Sequence, residues 1–386
     1  MRYQETHPWI DFQFDLRRFD WRTWLLLGEA ESKCEHIAGA ALRPDVAALL
    51  HQVYLSKGIH GTASIEGNTL SEEQVLARVQ GELPLPPSQT YLGTEIDNIL
   101  DACNAILNDV VAGRPLELTP ERVSEFNRRI LTGLPAKEDV VPGELRHHSV
   151  HVANYLGAPA EDCEYLLKEL CRWLGEMQPP EDNQELRFTF AILKAVLAHL
   201  YIAWIHPFGD GNGRTARLIE FQLMVQAGVP SPAAHLLSDH YNRTRDAYYV
   251  ELDRTSKGTF PVQGFVRYAL QGFVDLLREQ IDVVRAQQMQ VTWVNYVHDT
   301  FHDRETPAGH RQKHIVLDMP VGKTLAAAQI REVSTRVALA YVGKTEKTVT
   351  RDLNALAALG LMRRVRGGWT VNQAVVEAFL PIRAEQ

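Results

Sequence analysis

The chain has 386 residues, of which 45% are hydrophobic and 23% are charged, and this composition is that of an ordinary globular protein and excludes a disordered or fibrous one. At roughly 150 residues per domain, the length predicts two or three domains with a sizeable core. Residues 320–386 hold ten Lys+Arg and five Asp+Glu, a net charge of +5. The chain has 40 Lys+Arg and 48 Asp+Glu in all, so residues 1–319 hold 30 and 43, a net charge of −13. This difference in charge predicts two modules with different partners.

The start of the chain and its cysteines indicate a cytoplasmic protein. Residues 1–7 contain no apolar core of the kind that signal peptides have. Because the cysteines form no CxxC pair and no zinc-ligand spacing, they predict reduced, buried thiols without a disulfide framework. They are Cys34, Cys103, Cys163 and Cys171.

Most of the predicted elements are helices. Residues 1–45 are rich in aromatic side chains without a strong period, and we expect this segment to pack on the core. In residues 46–304, apolar side chains recur at spacings of three and four, which is typical of helices that bury one face. The predicted helices are Val46–Leu55, Glu72–Val79, Tyr91–Val111, Thr119–Leu131, Ala160–Met177, Glu185–Ile205, Thr215–Ala227, Arg243–Thr255 and Val262–Asp303.

One short stretch has the pattern of strands. The β-branched run His148–Val152 is bounded by Pro142–Gly143 and by Asn154–Gly157, and turn residues on both sides of such a run predict a small hairpin. The fold class predicted for this module is therefore mainly α with one small β-hairpin.

A long apolar run, Arg187–Trp204, has the length of a membrane span. Lys194 and His199 fall inside the run, however, and a polar loop follows it at once, whereas a span carries few such groups. We therefore predict no contact with a membrane and expect a central helix, buried on all sides, whose end delivers His206 to the loop.

The C-terminal module follows a predicted seam at Glu305–Lys313, where proline and glycine interrupt the helical period. Residues 310–386 then have the pattern of a winged helix-turn-helix. A helix precedes a turn at Gly343, a second helix is predicted over Thr345–Leu359, and a hairpin turns at Gly367–Gly368.

The loop at 206–217, His-Pro-Phe-Gly-Asp-Gly-Asn-Gly-Arg-Thr-Ala-Arg, concentrates chemically useful residues. Gly209, Gly211 and Gly213 can adopt positive φ and turn successive N–H groups inward as an anion-binding nest. A helix that begins near Arg214 would add the positive end of its dipole at the same place. Phosphate is the ligand that this arrangement predicts.

The polar residues of the same loop complete a candidate transfer site. Asp210 is a hard oxygen ligand suited to Mg²⁺, which usually lies between one or two carboxylates and substrate phosphates. Arg214 and Arg217 share one helical face and can bind phosphate oxygens, while His206 can accept the proton of an attacking hydroxyl. Asn212 either orients phosphate or turns the loop. Together these residues predict phosphoryl or nucleotidyl transfer.

The loop resembles the signature of the Fic family, His-Pro-Phe-x-Asp/Glu-Gly-Asn-Gly-Arg-x-x-Arg, at every defined position. The resemblance implies a helical Fic core over residues 46–304, with a hairpin flap at Val150, His151 and Val152 that aligns a target segment. The winged helix is similar to domains that often follow bacterial Fic cores. Dimers are common in the family, so a homodimer is also an expectation.

The resemblance implies an activity: transfer of AMP from ATP to a Ser, Thr or Tyr hydroxyl of a target protein, with release of pyrophosphate. By matching position, His206 would be the general base and Asp210 the Mg²⁺ ligand. Phosphotransferring relatives carry Lys where this chain has Gly213, so kinase chemistry is not implied. The ATP phosphates would be bound by Gly211, Asn212, Gly213, Arg214 and Arg217.

The stretch Thr62-Ala-Ser-Ile-Glu-Gly67 resembles the family's inhibitory motif, Ser/Thr-x-x-x-Glu-Gly/Asn. From the residues alone, it is a helix end capped by Gly67 and Asn68. The resemblance implies an inhibitory helix near 54–67, whose Glu66 occupies Arg217 and misaligns ATP. In some relatives this glutamate helps water to remove AMP from a modified target, so a de-AMPylating enzyme is an alternative.

The C-terminal module favours a further alternative. Lys347, Thr348 and Arg351 lie near the start of the predicted second helix, where a recognition helix would contact DNA. Winged helices also serve as dimerisation or target-docking modules. A DNA-binding regulator whose Fic core senses nucleotide is therefore the function class that competes with the enzyme.

Overall fold

The structure is a computed structural model that describes residues 1–135, 138–152, 155–257 and 261–377. It divides into two compact units, Met1–Asp282 and Val283–Gln386. The predicted seam at 305–313 lies inside the second unit, because the preceding helix carries Trp293 and Val297 into that unit's core. The last residues of the predicted winged helix, 378–386, lie outside the described residues.

The first unit is built almost wholly of helices, as the sequence predicts. The helices are α1 Tyr3–Thr6, α2 Trp21–Ala38, α3 Pro44–Ile65, α4 Glu72–Val79, α5 Thr90–Val111, α6 Pro120–Leu131, α7 Cys163–Glu176, α8 Arg187–Ile205, α9 Asn212–Gln226, α10 Ser231–Ala234, α11 Leu236–Arg243, α12 Arg245–Thr255 and α13 Pro261–Thr300, which continues into the second unit. The four cysteines are buried free thiols, as predicted.

Helix α8 is the central element of the first unit. Its side chains are buried on nearly every face, and α7 and α9 pack against it. Among the described residues it is the one helix with the length and apolar composition of a membrane span, yet 78% of its apolar window is buried inside the protein. The core helix predicted from the sequence is thus present, and its C-terminus points the chain into the 206–217 loop.

The N-terminal segment is more regular than the sequence analysis predicts. Helix α2 is capped by Asp20, which accepts a hydrogen bond from the Thr23 N–H at 2.9 Å, and it buries Leu27 and Ala30. Large apolar side chains also occupy its outer face, where Trp21 keeps 69% of its surface exposed. Apolar residues on both faces hide the helical period, and for this reason the helix is not evident from the pattern.

The hairpin of the first unit is formed by β1 His151–Val152 and β2 Tyr155–Leu156. The strands are antiparallel, with His151 opposite Leu156 and Val152 opposite Tyr155. The predicted hairpin is therefore present, although its tip at 153–154 lies outside the described residues.

The second unit has the predicted winged helix-turn-helix order. Its elements after α13 are α14 Pro307–Asp318, α15 Ala327–Ile330, α16 Thr335–Ala340, α17 Glu346–Ala358, β3 Met362–Val365 and β4 Gly368–Val371. Val365 pairs with Gly368, so the turn of the wing is Arg366–Gly367, one residue before the predicted Gly367–Gly368. Leu353, Leu356 and Trp369 are buried in the core between helices and wing.

A buried carboxylate stabilises this second unit. Asp352 is 1% exposed and accepts hydrogen bonds from Arg311 Nε at 3.1 Å, Gln312 Nε2 at 3.1 Å and the Tyr341 hydroxyl at 2.7 Å. Asp352→Ala is expected to lower the unfolding free energy of this unit by about 3–5 kcal/mol, because it leaves the Arg311 charge buried without its partner.

Amide hydrogen exchange of peptides from residues 307–371, in the full chain, measures this loss. Asp352→Asn is the matched control, because it retains an acceptor for Tyr341 and is expected to cost less. Equal protection in Asp352→Ala and the unaltered protein would contradict the prediction.

Candidate active site

The loop between α8 and α9 has two left-handed residues that fix its path. His206 ends α8 with φ 53° and ψ 57°, and Gly211 precedes α9 with φ 75°. Gly209 and Gly213 do not have positive φ, contrary to the expectation that all three glycines turn the chain. Helix α9 begins at Asn212, ahead of the predicted start at Thr215, so Gly213 is already helical.

Asn212 holds the loop closed on itself. Its Oδ1 accepts a hydrogen bond from the Phe208 N–H at 2.9 Å, and its Nδ2 donates to the Phe208 carbonyl at 2.7 Å. Both residues are buried. The Asn212 side chain therefore turns the loop. The group of Asn212 that can face an anion is then its backbone N–H, which lies at the start of α9.

A cleft of about 590 Å³ lies over this loop. It brings together most of the residues that the sequence analysis singles out. Its lining includes Glu66 at the end of α3, the flap residues Val150, His151 and Val152, and the loop residues His206, Gly209, Asp210, Gly211, Asn212, Gly213 and Arg217. Tyr248 and Tyr249 of α12, which no spacing singles out, form part of another wall.

Arg214 does not line this cleft, although the sequence groups it with Arg217. Its side chain is 7% exposed, and its guanidinium binds Glu95 of α5 at 2.5 Å and Asp210 Oδ1 at 3.3 Å. Glu95 Oε2 also accepts a hydrogen bond from the Asn68 side chain at 2.8 Å. A single buried acid thus connects Arg214 with the turn that follows Glu66, and its position in α5 carries no local sequence signal.

The surroundings of His206 keep its imidazole neutral. Its Nδ1 lies 3.4 Å from the Ala203 carbonyl, and a contact with a carbonyl requires that nitrogen to carry the proton, so Nε2 keeps its lone pair. Burial lowers the pKa of His206 to about 4. The nearby Arg146 charge also lowers this pKa, whereas the charges of Glu66 and Asp210 raise it. The imidazole is therefore neutral at physiological pH.

The low pKa of His206 predicts an unusual pH profile. An imidazole with the ordinary pKa near 6.5 would lose about nine-tenths of its neutral form at pH 5.5, whereas His206, with a pKa of about 4, stays neutral there. We expect kcat/KM for a hydroxyl-activating reaction to remain level from pH 7.5 to 5.5. ATP binding measured over the same range is the control, and an acid limb centred near pH 6.5 would contradict the prediction.

Glu66 and Arg217 form an ion pair inside the cleft. Glu66 Oε1 lies 2.6 Å from an Arg217 guanidinium nitrogen that also donates to the Thr62 carbonyl at 3.1 Å. The Arg217 side chain is 1% exposed and that of Glu66 is 26% exposed. Burial opposes ionisation of Glu66, but the charges of Arg217 and Arg214 outweigh it and lower the pKa of this carboxyl.

Gly213 leaves room for this ion pair. A Cβ atom built at Gly213 would collide with Glu66 Oε1 and would lie 3.1 Å from an Arg217 nitrogen. The carboxylate of Glu66 therefore passes directly over the first turn of α9, where the backbone N–H groups of a helix start attract anions. Glu66 thus lies against Gly213, a residue for which the sequence predicts phosphate binding.

Asp210 has the chemistry of a Mg²⁺ ligand. Its Oδ1 accepts a hydrogen bond from the Gly211 N–H at 2.7 Å, and 25% of its side-chain surface is accessible. Among the described residues, no three acidic, histidine or cysteine side chains form a metal cage. A single carboxylate beside an anion site fits Mg²⁺, which binds through one or two carboxylates and the phosphates of a substrate.

The sequence profile of the Fic/DOC family matches residues 117–224, and that of DeoR-like helix-turn-helix domains matches residues 327–375. The chain is similar to "Protein adenylyltransferase fic-1" of Caenorhabditis elegans, with 30% identity over 212 residues, 54% of this chain and 38% of that protein. It is also similar to "Protein adenylyltransferase Fic" of Nematostella vectensis, with 27% identity over 219 residues, 57% of this chain and 47% of that protein. The chain thus spans less than half the length of these curated relatives.

Solved structures show the same fold. A Fic family protein from Desulfovibrio desulfuricans has a TM-score of 0.56 at 17% identity and covers 95% of this chain and 98% of its own. A fragment of Fic-1 from C. elegans has a TM-score of 0.51 at 24% identity, over 68% of this chain and 73% of its own.

The profile match shows a Fic domain over residues 117–224, and the helical core and the loop agree with it. In this chain the Fic domain is followed by a DeoR-like helix-turn-helix domain, so the predicted mainly α fold with a C-terminal helix-turn-helix is confirmed.

Proposed function

We propose that this chain is a protein adenylyltransferase, which transfers AMP from ATP to a Ser, Thr or Tyr hydroxyl of a target protein and releases pyrophosphate. The observation that carries the proposal is the cleft in which neutral His206, Asp210 and the N-terminus of α9 converge beneath the flap. The relatives named as protein adenylyltransferases support it.

In the proposed reaction, the hydroxyl oxygen of the target attacks the α-phosphorus of ATP. The bond between that phosphorus and the oxygen bridging to the β-phosphate breaks, and pyrophosphate leaves with the bond electrons. His206 Nε2 takes the hydroxyl proton, as a positioned neutral imidazole can. The backbone N–H groups of Asn212 and Gly213 would stabilise the phosphates at the helix start, joined by that of Gly211 once it releases Asp210 Oδ1. Arg217 would bind the γ-phosphate.

Two further components follow from the same cleft. Asp210 would hold Mg²⁺ together with the ATP phosphates, and this ion would neutralise phosphate charge. The flap residues Val150, His151 and Val152 would align an extended target segment by strand addition, since the backbone of a short strand can bind a peptide through main-chain hydrogen bonds.

The Glu66–Arg217 ion pair supports autoinhibition of this activity. The carboxylate occupies the guanidinium that the γ-phosphate requires and lies over Gly213. ATP that enters with Glu66 in place would bind with its α-phosphate out of line for attack. A de-AMPylating enzyme would use the same residues for hydrolysis: Glu66 would activate water against the phosphorus of an AMP-modified target, and the bond from phosphorus to the target oxygen would break, which releases AMP and the free hydroxyl.

Transfer of label from two forms of ATP tests the proposal. Glu66→Gly protein is incubated with Mg²⁺, a lysate of proteins and ATP labelled at either the α- or the γ-phosphate. We expect protein labelling from α-labelled ATP alone. Labelling from γ-labelled ATP would indicate phosphoryl transfer, and release of AMP from premodified protein by the unaltered chain would favour the de-AMPylating alternative.

A second candidate function, DNA binding, is favoured by the surface of the second unit. Lys347 and Arg351 of α17 are exposed and Thr348 is half-buried, with Val349 facing the core. On the wing, Arg363, Arg364 and Arg366 are also exposed. Basic side chains at a recognition-helix start and on the wing bind backbone phosphates.

Duplex binding measured over a range of salt concentrations tests this candidate. If Lys347 and Arg351 each bind one phosphate, Lys347→Ala/Arg351→Ala should reduce the slope of log K against log salt by about 2. Arg172→Ala, an exposed arginine of the first unit, is the matched control. An unchanged slope would exclude Lys347 and Arg351 as phosphate contacts.

A further inference from the structure

A buried arginine that the proposed chemistry does not use lies behind His206. Arg146 is 4% exposed, and its guanidinium donates to backbone carbonyls. Nε donates to His206 at 2.6 Å and Nη1 to His148 at 2.7 Å, while Nη2 donates to Ala158 and, at 3.3 Å, to Ile205.

These carbonyls belong to two different parts of the site. His148 and Ala158 flank the hairpin β1–β2 on either side, so one guanidinium holds both ends of the flap. Ile205 and His206 are at the C-terminus of α8, where carbonyls lack intrahelical partners and the helix dipole is negative. A cation in this position stabilises the helix end and links it to the flap at the same time.

Other contacts extend this connection along the same edge. The Arg146 N–H donates to the Pro207 carbonyl at 3.0 Å, and the Tyr155 hydroxyl of β2 donates to the Trp204 carbonyl at 3.0 Å. A Cβ atom at Gly157 would lie 2.9 Å from His206 Cβ and 3.1 Å from an Arg146 nitrogen. Glycine at 157 therefore allows the end of the flap to pack directly on the catalytic histidine.

Two features of this arrangement, the buried Arg146 charge and the left-handed backbone of His206, cost folding free energy, which indicates a role beyond packing. Desolvation lowers the pKa of Arg146, since burial disfavours the charged form. The backbone of His206 is held in the left-handed region, which a non-glycine residue seldom adopts without support from its surroundings. Arg146 supplies that support through the His206 carbonyl.

We infer that Arg146 is a positioning residue that couples the flap to His206, so that one side chain aligns both the target segment and the base that deprotonates it. This inference rests on the proposed function for its catalytic consequence. Arg146 is also expected to order the flap and to set the environment of the His206 imidazole. These two structural effects do not depend on which group is transferred.

The test compares Arg146→Lys and Arg146→Gln in the Glu66→Gly background. Lysine keeps the charge but loses the fork that reaches four carbonyls, so we expect kcat for AMP transfer to fall by about 10- to 100-fold, as small misplacements of reacting groups do. The Kd for ATP should be unchanged, because Arg146 does not line the cleft. Arg78→Gln, which removes a half-buried arginine that is not part of the cleft lining, is the matched control.

Two readouts separate positioning from a loss of folding. Amide exchange over residues 148–158 should accelerate in both variants, while that of α5 stays unchanged. Because the Arg146 charge lowers the pKa of His206, that pKa, followed by NMR of the labelled imidazole, should rise in Arg146→Gln and move less in Arg146→Lys. A structural role alone would not distinguish the two variants in this way.

Unchanged flap exchange and an unchanged His206 pKa in Arg146→Gln would overturn the inference, and so would a kcat equal to that of the Arg78→Gln control. If the Glu66→Gly background itself transfers no AMP, the proposed function fails. Exchange and imidazole titration still decide then whether Arg146 couples the flap to His206.

Discussion

Glu66→Gly is expected to raise the rate of AMP transfer by about 10- to 100-fold. The substitution removes the carboxylate that binds Arg217 at 2.6 Å and lies against Gly213, so the guanidinium and the start of α9 become available to the ATP phosphates. Hydrogen bonds to charged groups contribute about 1.5–3 kcal/mol each, and one such bond regained by the γ-phosphate in the transition state accounts for a change of this size.

The measurement is the initial rate of labelling from α-labelled ATP, with self-modification as the readout where no target is known. Glu73→Gly is the matched control, because Glu73 is an exposed acid a few residues further along and its loss should leave the rate unchanged. Equal rates for Glu66→Gly and the unaltered protein would show that the ion pair does not restrain the reaction.

His206→Ala is expected to lower the transfer rate of the Glu66→Gly protein by about 100- to 10,000-fold, the usual contribution of a positioned general base. ATP affinity should change little, because the proposed anion site consists of the start of α9 and Arg217. Binding and rate therefore have to be measured on the same preparation.

The left-handed backbone at His206 calls for a second variant. Alanine is strained at φ 53°, so a loss of rate in His206→Ala combines missing chemistry with a disturbed loop. Asparagine tolerates that region more readily but cannot take the proton, and we expect His206→Asn to be equally inactive. Substantial labelling by His206→Asn would exclude His206 as the base, and His36→Ala, an exposed histidine of α2, controls for nonspecific effects.

Local signals account for the parts of the fold that the sequence predicts well. Helix α4 is predicted to the residue, because Ser71 and Gln74 form a capping box at its start. The core helix α8 and the cleft-lining loop residues follow from a long apolar run and from one dense motif. Each of these signals lies within about twenty residues of chain.

The parts that escaped prediction depend on contacts between distant residues. Arg146 and Glu95 are single charged residues in ordinary surroundings, and their partners His206 and Arg214 lie 60 and 119 positions further on. The early start of α9 has a local origin, in the hydrogen bonds between Asn212 and Phe208 four residues before it. In the sequence, Asn212 has the character of a loop residue. Its side chain binds the Phe208 backbone only when the loop is folded.

The order of the residues in the Glu66–Arg217 pair has a consequence for how the protein is made. The two side chains are separated by 151 positions, and chains emerge from the ribosome with the N-terminal part first. The helix that carries Glu66 is synthesised well before the arginine exists, so the carboxylate is present when Arg217 folds into place. Any copy that has completed the cleft through Arg217 therefore already carries the carboxylate that can pair with it.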